Sequence, residues 1–340
     1  MTKKRITIPV FIPHSGCPHR CVFCNQRDAT GHATPSSPAL VDELVSEYLP
    51  HIGSSVNRVE LAFFGGSFTG MDHRIQEAYL ARARHHLDRN AIHGIRLSTR
   101  PDYITDEIVS FLAASGVSTI ELGVQSFDDT VLMASGRGHD STATFRAVES
   151  IHRQGIDLVI QLMPGLPGET RPSALRSAHI AAGLSPAGVR IYPTVVLRGT
   201  ALEERYRSGA YVPLAMDEAI ELCRDIYGVF VSRGIPVIRM GIHPLAPERI
   251  SAVVAGPYHP SFGHLVKARF RRDEMMAIVR EYLSRNEHVH TIRFLIPSRN
   301  TEEYIGYRRE NIRHIQHYFG LTRIDFTVVT ASRVLIDCGT

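Results

Sequence analysis

A chain of 340 residues with 44% hydrophobic and 21% charged residues carries enough apolar surface for one large α/β domain and a smaller appendage. It holds no low-complexity tract, no solenoid-period repeat and no apolar run long enough to span a bilayer, which excludes fibrous, repeat and helical membrane classes. The formal charge of +4 is unevenly placed: residues 1–247 balance at 24 basic against 24 acidic, and residues 248–340 hold 14 basic against 10 acidic.

Lys3, Lys4 and Arg5 precede an apolar run, Ile6 to Ile12, that is too short for a secretory signal, contains Pro9 and reads as a strand. Further strands are expected at Arg58 to Phe64, Gly94 to Ser98, Ser118 to Val124, Ile156 to Leu162 and Gly188 to Tyr192. Helical patterns fall between them at Pro38 to Tyr48, His73 to Leu87, Asp106 to Ala114, Ser141 to Gln154 and Arg171 to Ala182. Six β-then-α units predict parallel strands with right-handed crossovers, and the nearly apolar strand runs suit a sheet covered on both faces. Six units are too few for a closed eight-stranded barrel. The unusual residues gather just past the strand ends, where barrels build active sites.

Beyond Arg198-Gly-Thr200 the pattern changes. A helix from Ala215 to Ser232 and a strand from Pro236 to Met240 lead to a helix over Phe262 to Arg285, a strand over Thr291 to Ile296 and one amphipathic helix over Thr301 to Phe319. The expected organisation is a barrel in residues 1–200, a connecting helix and strand in 201–247 and a basic α/β domain in 248–340, capping the barrel.

Three of the five cysteines lie in Cys17-Pro-His-Arg-Cys21-Val-Phe-Cys24, while Cys223 and Cys338 are isolated. That is the usage of a reducing compartment, so a cytoplasmic protein is expected. A closed zinc site would need a fourth ligand, which His14 or His19 could supply. An iron–sulfur cluster on three thiolates would leave one iron open to a non-protein ligand. The segment resembles the CxxxCxxC signature of the radical S-adenosylmethionine (SAM) enzymes. That resemblance implies a 4Fe–4S cluster on Cys17, Cys21 and Cys24, SAM chelating the open iron, Phe23 shielding the cluster, and a partial (β/α)6 radical SAM barrel with a small C-terminal α/β domain.

Phe63-Phe-Gly65-Gly66-Ser67-Phe68 resembles the family's glycine-rich second-strand motif, whose carbonyls accept hydrogen bonds from the SAM ammonium; glycine allows that close approach. Ile120-Glu-Leu-Gly-Val-Gln125 with Ser135-Gly-Arg137-Gly-His139 resembles the branch of the Elongator catalytic subunit and the oxygen-independent coproporphyrinogen oxidases. The resemblance puts Arg137 on the SAM carboxylate and Gln125 and Gln161 in hydrogen bonds to SAM, Gln161 near the ribose. Likeness to the Elongator subunit covers roughly residues 6–200 and includes Arg100-Pro-Asp-Tyr103. Two departures stand out: Ser98 replaces a glutamate of the presumed SAM pocket, and the chain as given reaches Thr340 without the family's acetyltransferase domain.

The implied reaction is reductive cleavage of SAM to a 5′-deoxyadenosyl radical, with a flavodoxin or ferredoxin as the one-electron donor. The expected substrate is an RNA base, tRNA included, docked through Lys267, Arg269, Arg271, Arg272, Arg308, Arg309 and Arg313. A small anionic metabolite is the alternative substrate, and a non-catalytic RNA-binding protein bearing a cluster or zinc is the alternative of another class. Tyr258, His259, His264 and Tyr307 are candidate substrate-side residues, and no membrane partner is expected.

Overall fold

Ile8, Val10 and Ile12 alternate with Thr7, Pro9 and Phe11, which gives a strand two different faces. The computed structural model describes residues 4–12, 16–17, 21–25, 37–53, 55–286, 288–331 and 333–337. Its elements begin with β1 (Lys4–Phe11), α1 (Leu40–Tyr48), β2 (Val56–Phe64), α2 (His73–Asp88), β3 (Gly94–Thr99), α3 (Asp106–Ala114) and β4 (Val117–Gln125). Next come α4 (Asp129–Ala134), α5 (Ser141–Arg153), β5 (Asp157–Leu162), α6 (Arg171–Gly183), β6 (Gly188–Ile191), β7 (Val196–Leu197), α7 (Ala201–Arg207) and α8 (Met216–Val231). The chain continues through β8 (Val237–Met240), β9 (Val253–Ala255), α9 (Phe262–Arg285), β10 (Thr291–Pro297), α10 (Thr301–Ile305), α11 (Glu310–Phe319), β11 (Arg323–Val329) and β12 (Leu335–Ile336). Side chains fix several helix starts: Asp72, Thr105, Asp128, Asp140, Thr170 and Thr200 each accept a first-turn backbone N–H.

The main sheet runs β1-β2-β3-β4-β5-β6-β8, parallel throughout, as an open half-barrel. Ile8, Leu61, Leu97, Leu122, Ile160 and Ile191 point to the helix side and are fully buried there. The opposite parity carries Glu60, Arg96, Glu121, Gln161 and Arg190. The lumen face is therefore charged, where the apolar strand runs suggested cover on both faces.

Two differences from the sequence reading have local causes. The strand expected as part of a connector, β8, pairs with β6 and becomes the seventh strand of the half-barrel. The expected single helix over Thr301 to Phe319 breaks at Gly306 (φ 75°), and Arg308 and Arg309 both adopt left-handed backbone, which ends α10 and restarts the chain as α11. Strands β11 and β12 escaped the sequence reading and flank β10, parallel and antiparallel respectively.

Helix α9 has 24 residues, a length of about 36 Å, and serves two cores. Phe262 and Val266 belong to the barrel's apolar core, whereas Met275 and Val279 pack with Ile292, Phe294, Ile312 and Ile324 of the C-terminal sheet layer. The unit expected as a cap thus docks on the outer helical layer through α9, with Phe270 edge-on to Tyr227 of α8 at 5.1 Å between ring centres.

Candidate active site

The cysteine loop follows β1 and is held by backbone contacts at the C-terminal end of the sheet. Val22 N–H donates to the Ser135 carbonyl (3.1 Å), Leu202 N–H donates to the Val22 carbonyl (2.8 Å), and Cys24 N–H donates to the Cys21 carbonyl (3.0 Å). Phe23 packs beside Val22, Val196, Leu202 and Tyr211, an apolar anchor for the loop. Gly16 and Gly70 bring the loop against the turn after β2: a Cβ on Gly70 would lie 2.0 Å from the Gly16 carbonyl oxygen, and one on Gly16 would lie 2.2 Å from that of Ser67. Only glycine permits that approach.

Two buried guanidiniums meet the cysteines. Arg137 Nη1 lies 3.2 Å from Cys21 Sγ, and its Nη2 donates to the Gly123 carbonyl. Arg100 Nη1 is 3.8 Å from the same sulfur, its Nε and Nη2 each reach an Asp102 carboxylate oxygen at 2.9 Å, and Nη2 also donates to the Arg137 carbonyl. Burial raises the Cys17 thiol above its ordinary range, against the opposing pull of Arg100 and Arg137. Arg100 belongs to the Elongator-like stretch Arg100-Pro-Asp-Tyr103 without an expected role; its only local signal is an arginine and an aspartate two apart, just past a strand end.

The other expected residues lie around this corner. Gln125 closes β4 in left-handed backbone (φ 71°) at an irregularity in the β4–β5 ladder, and Gln161 Nε2 donates to its Oε1 (3.0 Å). A Cβ on Gly123 would meet Gln125 Nε2 at 3.0 Å, so this glycine clears space for the amide. Gly65 is also left-handed (φ 93°), and Gly66 follows it in the turn after β2. The Ser67 hydroxyl is occupied, hydrogen-bonded with Thr99 Oγ1 (2.9 Å) and accepting from Arg100 N–H (3.2 Å). Ser98 Oγ, Arg137 Nε and His139 Nε2 are buried without a hydrogen-bond partner, and such orphaned polar atoms mark room for a ligand. These residues fit the implied groups, with soft thiolates for iron and an unfilled guanidinium for a carboxylate.

Below this corner the lumen holds a charged layer absent from the sequence reading. Glu121 is paired by Arg96 Nη2 (3.2 Å) and Arg190 Nε (3.0 Å), and Arg190 Nη1 donates to the Tyr192 hydroxyl (2.7 Å). Beside the rim a cleft is lined by Leu166, Glu169, Tyr211 and Leu214. Glu169 accepts from Gly165 N–H (2.7 Å), and burial pushes its carboxyl up to about 7.

The expected RNA-binding cations on α9 are committed elsewhere. Arg269 pairs with Glu221, Arg271 with Glu274 (3.0 Å), Arg272 with Glu221 (4.0 Å) and Lys267 with Glu303 (3.5 Å). Helix α9 is packed between two layers, so its cations face acids of α8, α9 and α10. Arg308, Arg309 and Arg313 remain exposed. His14, His19 and Cys338 lie outside the described residues, and among those described no group of three or more His, Cys, Asp or Glu side chains converges on a single-ion position. Among the described residues no helix is long and apolar enough to cross a membrane.

Three loop cysteines, two arginines and a glutamine pair thus gather at the C-terminal end of a parallel half-barrel. Residues 11–179 match the radical SAM superfamily and residues 186–272 match the radical SAM C-terminal domain. The tRNA uridine(34) acetyltransferase of Methanocaldococcus jannaschii is 27% identical over 61% of this chain and 45% of its own length. Human Elongator complex protein 3 is 28% identical over 63% and 47%. The solved archaeal Elp3 of Methanocaldococcus infernus, at 21% identity, aligns over 81% of this chain and 64% of its own with a TM-score of 0.63. The chain thus spans about half the length of the curated relatives it matches. It belongs to the radical SAM superfamily, is an enzyme of that class with a 4Fe–4S cluster and SAM as its cofactors, and is similar to the Elongator catalytic subunit.

Proposed function

We propose that Cys17, Cys21 and Cys24 hold the cluster, that Gly65, Gly66, Ser67, Ser98, Gln125, Arg137 and Gln161 form the SAM site, and that the substrate is an RNA base. The observation carrying the cofactor assignment is the meeting of Cys21 with Arg100 and Arg137 beside the Gln125–Gln161 pair. When bound and supplied with an electron by a flavodoxin- or ferredoxin-like donor, the cluster and SAM provide one-electron C–S cleavage chemistry. The residues do the rest by position. Arg137 offers its unfilled donors to a carboxylate, the turn after β2 offers backbone carbonyls to an ammonium through Gly65, Gly66 and Ser67, and Gln125 and Gln161 present amides toward the lumen. Arg100, braced by Asp102, orients the Cys21 sulfur and supports the Arg137 backbone.

The RNA reading is supported by the names of the relatives and by one exposed surface. Tyr307, Arg308, Arg309, Arg313, His317 and Tyr318 are all exposed on or beside α11, and Arg308 lies over the Tyr307 ring at 5.2 Å. Interleaved aromatics and arginines suit stacking on unpaired bases and contact with phosphates. Binding of bulk tRNA should therefore fall with salt, with a log–log slope of about −0.7 per phosphate contacted on single strands. Changing Arg308 and Arg313 to Glu should flatten that slope. Salt-insensitive binding, or none, would turn the site over to a small anionic metabolite.

A further inference from the structure

The β6–β8 wall of the lumen is overcharged. Arg190 and Arg239 are register partners on neighbouring parallel strands, and Arg96 approaches the same space from β3. Glu121 is the carboxylate shared by Arg96 and Arg190. Arg239 makes a single hydrogen bond, Nε to the Gly241 carbonyl at 3.3 Å, and no carboxylate pairs with it among the described residues. It lies near enough to Tyr192 to oppose the effect of burial on that hydroxyl. Like charges side by side on adjacent strands repel, and a half-buried guanidinium with open donors is costly unless an anion meets it.

We infer that Arg239, backed by Arg190 and Tyr192, binds an anionic group of the substrate, a phosphate or a carboxylate, inside the barrel lumen. The position suits this role: the cysteine–Arg137–Gln125 corner occupies the β1–β5 side of the same rim, so an anion held at β6–β8 would fix the rest of the substrate between the two. Arg190 is already charge-paired with Glu121 and donates Nη1 to the Tyr192 hydroxyl, which leaves Arg239 as the wall's cation without a carboxylate partner among the described residues. The wall opposite is apolar and aromatic, with Phe64 beneath the Arg190 guanidinium at 5.4 Å and Phe11 beside Phe64 at 6.3 Å between ring centres. A substrate anchored by its anion would lie against that wall. The inference rests on the proposed radical SAM site and names what its substrate must carry.

The test uses the anaerobically reconstituted, SAM-loaded protein and calorimetric titration with three probes: uridine 5′-monophosphate, uridine and succinate. At least one anionic probe should bind the unaltered protein more tightly than uridine does. Arg239→Gln should weaken that binding by about tenfold or more, the scale of one charge-assisted hydrogen bond, and Arg239→Lys should recover most of it. Preference for the monophosphate would assign the anion to a nucleotide. Preference for succinate would keep the anion site and count against an RNA base. Equal affinity of all three probes, equal binding by Arg239→Gln, or as large a loss in Arg239→Lys would overturn the inference. Iron content and SAM affinity measured on the same preparations report separately on the cofactor site.

Discussion

Arg137 was legible in the sequence because its motif is local, and the structure adds what the motif could not show: one nitrogen on a sulfur, one on a carbonyl and Nε without a partner. Arg137→Ala should leave iron content unchanged and weaken SAM binding by about 1.5–3 kcal/mol, roughly ten- to a hundredfold, as read by equilibrium dialysis. Unchanged SAM affinity would remove Arg137 from the site. The roles of Arg100, Glu121 and Arg239 were not legible: Cys21 lies 79 residues from Arg100 and Arg96 lies 25 from Glu121, Arg239 meets Arg190 only across the sheet, and parity alone does not say which charges meet. Glu169 gives a prediction of a different kind. Its carboxyl is pushed up to about 7 from the usual 4.5, so the folded state binds the extra proton in that interval. Stability from this group is present below pH 4.5 and is lost as pH rises toward 7, by up to about 3 kcal/mol. Glu169→Gln should flatten that fall in thermal melts between pH 5 and 8, and parallel curves for the two proteins would contradict the assignment.

At the scale of elements, the six strands and their helices were legible almost to the residue, because short, largely apolar runs recur with helical-period segments between them and their ends carry glycine, proline or capping residues. The split of α10 from α11 was not, since nothing local forces Arg308 and Arg309 into left-handed backbone. Packing also decided the fate of α9: its sequence looks like a basic patch, while its arginines pair with acids on α8 and on α9 itself. Arg269→Glu should accordingly lower thermal stability by about 1–2 kcal/mol, between the values for exposed and buried pairs, and leave tRNA affinity unchanged. A loss of tRNA affinity without destabilisation would restore α9 as a docking face. The Gly16–Gly70 approach makes the turn after β2 a floor for the cysteine loop. Gly70→Ala should displace that loop and reduce iron incorporation, while circular dichroism still shows the folded barrel; full iron content would show that the contact is dispensable.

Over the whole molecule, the half-barrel brings together residues spread from Cys17 to Arg239, with the cysteine corner at one side of the rim and a cationic wall at the other. Helix α9 ties that barrel to the C-terminal sheet through two separate cores. The clustered cysteines, and neither of the isolated ones, are proposed to hold the catalytic cluster. The most direct measurement is iron content and reductant-dependent formation of 5′-deoxyadenosine after anaerobic reconstitution, comparing the unaltered protein with Cys17→Ala, Cys21→Ala, Cys24→Ala and Cys223→Ala. Four irons and SAM cleavage are expected in the unaltered protein and in Cys223→Ala, with both lost in each of the other three. Bound zinc without iron, or a cluster that survives loss of any one of the three, would contradict the claim.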